Sequence, residues 1–234
     1  MIRAGNVGIE EAEQPMQMGM SMAEVSQALR ARTKIGDDLF DAFYSPEMRR
    51  LSSRHWTPVE VALRASELLA TTPGMKVLDV GSGAGKFCLI GALSTDANYI
   101  GVEQRLHLVE EARSLKTSLG AERAQFMTGD AFNLDWRDFD AFYLFNPFHE
   151  HVLDETASID RSISIGLRHH IYSVWLAQAQ LSRANLGARV VTYHGFGGLM
   201  PRCYRKVTKE ACGTDVVELW VKERSSDGIL NRTA

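Results

Sequence analysis

The run Val77-Leu78-Asp79-Val80-Gly81-Ser82-Gly83-Ala84-Gly85-Lys86-Phe87 constrains this chain more than any other feature. It reads as a buried strand, then a tight glycine turn, then the start of a helix. Glycine lets the backbone turn sharply and come close to a ligand, and amides at the start of a helix then face whatever is bound. Residues 99–104, Tyr-Ile-Gly-Val-Glu-Gln, end a second strand with an acid, Glu103, followed by Gln104. A carboxylate at that place can accept hydrogen bonds from both hydroxyls of a ribose.

The rest of the chain repeats this alternation. Strands are expected near 76–80, 98–102, 124–127, 140–145 and 188–193, separated by helical stretches near 85–93, 105–118 and 159–184. Such alternation predicts a parallel sheet covered on both faces. The last quarter departs from it. Residues 203–209 and 216–222 read as strands joined by a short turn around Gly213, and strands so close must pair antiparallel. The expected fold is α/β: a doubly wound, mostly parallel seven-stranded sheet that ends in an antiparallel hairpin, with a helical extension at the N-terminus.

That extension divides in two. Residues 1–20 carry Gly5, Gly8, Pro15 and Gly19 without a sustained period and read as a flexible leader, with Met16, Met18, Met20 and Met22 alternating at its end. Residues 21–70 read as helical. Ser21 with Glu24 three residues on suggests a capping box, and Val25, Leu29, Leu39 and Phe43 supply an apolar face. A further helix is expected after Trp56, with Thr57 as its cap, Pro58 in its first turn, and Val59, Val61, Ala62, Ala65, Leu68 and Leu69 on its buried side. Residues 71–234 then form the main α/β domain.

Composition narrows the function classes. At 234 residues, with 45% hydrophobic and 24% charged residues, the chain is sized for one generous domain plus an extension. A formal charge of -3 lacks the basic excess of a protein held mainly by phosphate contacts, which disfavours nucleic acid without excluding it. Cys88, Cys203 and Cys212 have no CxxC spacing, so neither a disulfide framework nor a zinc site is indicated, and a reducing cytoplasm fits. No run reaches the roughly 18 apolar residues of a membrane span.

The glycine spacing discriminates between nucleotide ligands. A dinucleotide fingerprint is Gly-x-Gly-x-x-Gly, with helix amides facing a pyrophosphate. This loop is Gly-x-Gly-x-Gly preceded by Asp79. S-adenosylmethionine has no pyrophosphate but carries an ammonium, which an acid beside the loop can meet. On Asp79, Gly81, Gly83 and Gly85, with the ribose acid Glu103 and an acid after the third strand at Asp130 in Thr128-Gly129-Asp130-Ala131, the chain resembles the class I S-adenosylmethionine-dependent methyltransferases over about residues 55–222. The resemblance implies that Asp79, Gly81, Ser82, Gly83 and Gly85 cradle the donor and Glu103 and Gln104 meet its ribose. It further implies that Asp130 and the amide of Ala131 meet the adenine, and that the last strand is reversed. In related enzymes a stretch like Arg54-His55-Trp56-Thr57-Pro58 folds over the methionine end of the donor, which makes Trp56 and Thr57 binding candidates.

The fourth strand ends Phe145-Asn146-Pro147-Phe148, which resembles the Asn-Pro-Pro-aromatic motif of amino- and amide-nitrogen methyltransferases but lacks the second proline. Asn146 is therefore a candidate both for donor contact and for catalysis on a nitrogen or oxygen acceptor. His149-Glu150-His151 follows, and His149 is a candidate base because imidazole titrates near neutral pH. No metal site is expected. His169 and His170 sit in a helical pattern and read as a solvated face, and Arg202, Arg205, Lys206 and Lys209 read as an exposed strand edge. Two other readings stay open on the residues alone: a nicotinamide-dependent oxidoreductase and a non-catalytic S-adenosylmethionine-binding module. The methyl acceptor, small molecule, protein or RNA, is not specified by these motifs.

Overall fold

The computed structural model describes residues 19–148 and 166–225, the side chains of 51–55 excepted. β1 (Lys76–Val80), β2 (Asn98–Glu103), β3 (Ala124–Thr128), β4 (Ala141–Leu144), β5 (Arg189–Tyr193), β6 (Tyr204–Cys212) and β7 (Asp215–Lys222) form one sheet in the order β3-β2-β1-β4-β5-β7-β6. The first five strands pair in parallel. β7 lies antiparallel to both β5 and β6, so the expected terminal hairpin and reversed last strand are present. β1 pairs with β2 on one side and β4 on the other, so the strand order reverses beside it. Ligands of open α/β sheets bind outside the carboxyl ends at such a point.

Helices cover both faces. α1 (Met22–Arg30), α2 (Asp37–Asp41), α3 (Pro46–His55), α4 (Val59–Leu69), α5 (Lys86–Ser94) and α6 (Leu106–Leu119) precede α7 (Leu167–Arg183). Every residue of α5 is buried, because α1 and α4 pack on it from outside while the sheet lies beneath. One apolar core joins these helices to Tyr99, Tyr143, Val191 and Tyr193 of the sheet. A second, on the opposite face, is built from Trp136, Phe142, Val190 and Leu181. The part of the expected 159–184 helix that precedes residue 166 lies outside the described residues.

The extension departs from expectation in three places. The capping box forms, with Ser21 N donating to Glu24 Oε2 at 2.8 Å and Glu24 N to Ser21 Oγ at 3.3 Å. The apolar face read across Val25 to Phe43 is split, however, since α1 ends at Arg30 and α2 begins only after Gly36. A separate α3 follows, whose polar sequence hides it from a reading based on apolar spacing. Thr57 does not cap α4. Pro58 stands at that position without a side-chain bond, the amide of Val59 donates to Asp37 Oδ1 at 2.8 Å, and Thr57 Oγ1 pairs instead with the buried Tyr143 hydroxyl at 3.0 Å. A buried phenol requires a partner, and Asp37 from α2 frees Thr57 to provide one. Among the described residues no helix is long and apolar enough to cross a membrane.

Candidate functional site

Gly81, Gly83 and Gly85 all adopt left-handed backbone, at φ 74, 53 and 81. The turn closes on β2: the amides of Gly81 and Ser82 donate to Val102 O at 2.9 and 3.0 Å, that of Gly83 to Glu103 Oε2 at 3.2 Å, and that of Gly85 to Ser82 O at 2.9 Å. These four turn amides are spent inside the protein, and the helix whose first amides were expected to face a ligand begins after them, at Lys86. The Ser82 hydroxyl is turned toward β2, and a Cβ on Gly101 would lie 2.7 Å from it.

The three stations expected of the site stand side by side and are bonded to one another. Glu103 is buried, and besides the Gly83 amide it accepts from Arg105 N through Oε1 at 3.0 Å, with the Arg105 guanidinium at 3.6 Å. The Glu103 carbonyl accepts from Gly129 N at 2.9 Å, which ties the end of β2 to the turn carrying Asp130. Asp130 Oδ1 accepts from Phe132 N at 2.9 Å, Ala131 is buried, and Gln104 is exposed. The Phe132 ring lies 5.7 Å from that of Phe148 and 6.1 Å from that of Trp136.

Asp79, on β1, is buried with the Cys88 thiol donating to its Oδ2 at 3.4 Å. Burial pushes its carboxyl up to about 7; the thiol bond opposes the shift and the charge of Glu103 adds to it. Among the described residues this carboxyl has no ion-pair partner, and it would gain from one.

The N-terminal helices close over this loop. Trp56, 7% exposed, lies 3.7 Å from where a Cβ on Gly83 would stand, and its indole Nε1 is buried without a hydrogen-bond partner among the described residues. The Tyr44 ring packs 4.4 Å from it while the Tyr44 hydroxyl donates to Ala84 O at 3.1 Å. Lys86, buried at the start of α5, bridges Asp37 at 2.6 Å and Asp41 at 2.7 Å on α2. Tyr44, Arg105, Tyr143 and the Lys86 cluster were not legible as site residues in the sequence. Only Lys86 and Arg105 carried a signal, their adjacency to the glycine turn and to Glu103.

At the end of β4, Asn146 has left-handed backbone at φ 39 and its amide donates to Gly195 O at 2.9 Å. Pro147 Cβ stands 3.5 Å from where a Cβ on Gly81 would be, so the β4 and β1 turns meet at the switch point. His149, Glu150 and His151 lie outside the described residues. His170 is not part of a solvated face: its ring Nδ1 is 2.9 Å from Phe148 O, which fastens the β4 turn to α7. On β6 the charges behave as an edge, with Arg205 paired to Glu223 and Lys206 and Lys209 to Glu218.

Residues 71–164 match the family model described as "Methyltransferase domain". That stretch, less than half of the chain, is similar to a methyltransferase domain. The chain is also 40% identical over 73 residues to the protein-L-isoaspartate O-methyltransferase of Cytophaga hutchinsonii, a match covering 31% of this chain and 32% of that protein. It thus spans about a third of the length of that curated relative. Among solved structures, a methyltransferase from Geobacter sulfurreducens superposes with a TM-score of 0.56 at 13% identity, over 85% of this chain and 97% of that one. TrmN from Thermus thermophilus gives 0.53 at 19% identity, over 74% and 51%. At such identities the two structures speak for the fold alone. The matched stretch includes Asp79, the glycine loop, Glu103, Asp130 and Asn146.

Proposed function

We propose that this chain is an S-adenosylmethionine-dependent methyltransferase that holds the donor along the carboxyl ends of β1, β2 and β3. The observation that carries this reading is the glycine loop, with the amides of Gly81, Ser82, Gly83 and Gly85 turned inward and a buried carboxyl, Asp79, at its root whose hydrogen-bond partner is the neutral Cys88 thiol. A pyrophosphate needs free amides, whereas an ammonium needs a carboxylate, so the loop suits the methyl donor better than NAD. The unpartnered Trp56 indole adds a polar atom that a ligand over the loop can satisfy. When bound, the donor supplies a methyl group activated by a sulfonium.

The protein's own contribution is placement. Asp79, Gly81, Ser82, Gly83 and Gly85 seat the methionine end, with Trp56 and Thr57 above; Glu103 and Gln104 meet the ribose; Asp130 and Ala131 meet the adenine. Asn146 and His149 face the acceptor, a nitrogen or oxygen nucleophile. Residues 21–70 serve as a lid, residues 1–20 as a leader, and 71–234 as the catalytic domain. The three cysteines are buried thiols, which fits a reducing cytoplasm.

S-adenosylmethionine or S-adenosylhomocysteine at about a hundredfold excess over its Kd should stabilise the fold by about 2.7 kcal/mol, roughly 5 to 10 °C in Tm for a chain of this size. NAD should not. Differential scanning fluorimetry decides it, and the absence of any shift at millimolar donor removes the reading. Replacing Glu103 by Ala should weaken donor binding by about 1 to 3 kcal/mol, read by calorimetry; unchanged affinity would show that the ribose acid is elsewhere.

Asn146 calls for a different substitution. At φ 39 an alanine adds backbone strain of roughly 1 to 2 kcal/mol, so Asn146→Gly removes the side chain more cleanly. Donor affinity should stay near that of the parent while single-turnover methyl transfer into an extract fraction that accepts label falls by more than about tenfold. Full activity at normal stability would remove Asn146 from the acceptor side.

A further inference from the structure

The donor stations occupy the ends of β1, β2 and β3, so an acceptor must reach the methyl group from the side of β4 and β5. β5 ends at Tyr193, and the next residue, His194, turns into left-handed backbone at φ 56, followed by Gly195 at φ 70. On the neighbouring turn Asn146 is left-handed too, and its backbone amide donates to Gly195 O at 2.9 Å. Two non-glycine residues in this uncommon conformation thus sit on adjacent, mutually bonded turns at the same edge of the sheet. Such conformations cluster at functional sites.

The His194 ring is held on three sides. Its Nδ1 is 2.5 Å from Asp215 Oδ2 at the start of β7, and its ring centroid is 4.3 Å from that of Tyr193 and 5.4 Å from that of Phe145, the residue before Asn146. The side chain keeps 37% of its surface exposed, so the remaining edge is reachable. An imidazole that gives Nδ1–H to a carboxylate presents a lone pair on Nε2, and the carboxylate stabilises the cation formed when Nε2 takes up a proton. Joining β5 to β7 does not require this pair, because Arg189–Tyr193 and Val217–Val221 already form a continuous ladder.

We propose that His194, oriented by Asp215, is the base that receives the acceptor's proton during methyl transfer, an inference that rests on the methyltransferase reading above. The acceptor lone pair forms the new bond to the methyl carbon, the carbon–sulfur bond breaks with its electron pair passing to sulfur, and the acceptor's proton moves to Nε2 of His194. The imidazolium then loses that proton to solvent. Asp215 is a positioning residue in this scheme.

The inference can be tested without knowing the acceptor. S-adenosylmethionine and S-adenosylhomocysteine differ by a methyl group and one positive charge, which acts on any imidazole near the reacting carbon. The described groups packed against the ring are Asp215, which brings a negative charge, the Tyr193 phenol and the apolar Phe145. With full-length protein carrying ¹⁵N-histidine, and the His194 signal assigned by its loss in His194→Gln, the ring is titrated by NMR in each complex. The expected result is an Nδ1–H tautomer and a His194 pKa lower by roughly half a unit or more with S-adenosylmethionine than with S-adenosylhomocysteine. In Asp215→Asn the tautomer preference should disappear while both ligands still bind. Equal pKa values in two complexes shown by calorimetry to be saturated overturn the inference and leave the donor site standing. Failure of both ligands to bind overturns the methyltransferase reading and this inference with it.

Discussion

Replacing Gly85 by Ala should leave a protein that is unfolded, or that melts about 10 °C or more below the parent. Gly85 has φ 81, and a Cβ there would stand 2.6 Å from two carbons of the Phe126 ring and 2.8 Å from Ala112 Cβ. The left-handed backbone costs an L-residue about 1 to 2 kcal/mol, and forcing atoms into a packed core adds roughly 1 to 3 kcal/mol. At two to four degrees per kcal/mol, the sum reaches roughly ten degrees. Adding Phe126→Leu to the same chain should recover part of the loss, because it removes the ring contact and leaves the backbone strain. Thermal denaturation followed by circular dichroism reads both variants. A parental Tm for Gly85→Ala alone would mean that the helix start is not packed as described.

A second large effect concerns Asp79. Its carboxyl is pushed up to about 7 in the folded chain from an ordinary value of 3.8, so the native state holds this proton more tightly than the unfolded state does. Stability linked to this group is therefore greatest below pH 4, falls as pH rises toward 7 and is level above that. Three units correspond to about 4 kcal/mol as an upper limit. Asp79→Asn should erase that slope and stand a few kcal/mol above the parent at pH 8, seen as the difference between the two urea-denaturation curves across pH 4 to 8. The same variant should lose donor affinity tenfold or more, since the ammonium then meets no anion. In the parent, donor affinity should rise from pH 6 to pH 8 as Asp79 ionises. An Asn variant less stable than the parent at pH 8 would show that the carboxylate has a partner of its own.

The pattern of apolar runs placed the sheet well. β1 begins and ends where the alternation predicts, and the spacing around Gly213 was enough to reverse β7. The glycine loop, Glu103 and Asp130 were legible because a tight turn and an acid at a strand end are local requirements. What escaped the sequence was non-local. Thr57 looks like a cap until Asp37, from another helix, takes the cap's work and Tyr143 takes its hydroxyl. The loop amides look available until the turn is seen closing on Val102. His194 carried a faint signal in the glycines that follow it, at 195, 197 and 198, but Asp215 lies across a strand pair that only the folded sheet brings together.

The reversed last strand has a consequence for biosynthesis. β7 lies between β5 and β6, yet of the seven described strands it comes last in the chain. Until Lys222 has left the ribosome, β5 presents Arg189–Tyr193 as an open edge, and β6 cannot take its final place because β7, its neighbour among the described strands, is missing. A nascent chain in that state carries a short, apolar strand paired to β4 on one side and open on the other, the kind of edge that pairs with other chains. The sheet is thus completed after translation of β7, and a ribosome that stalls shortly before Asp215 would release a product prone to aggregate.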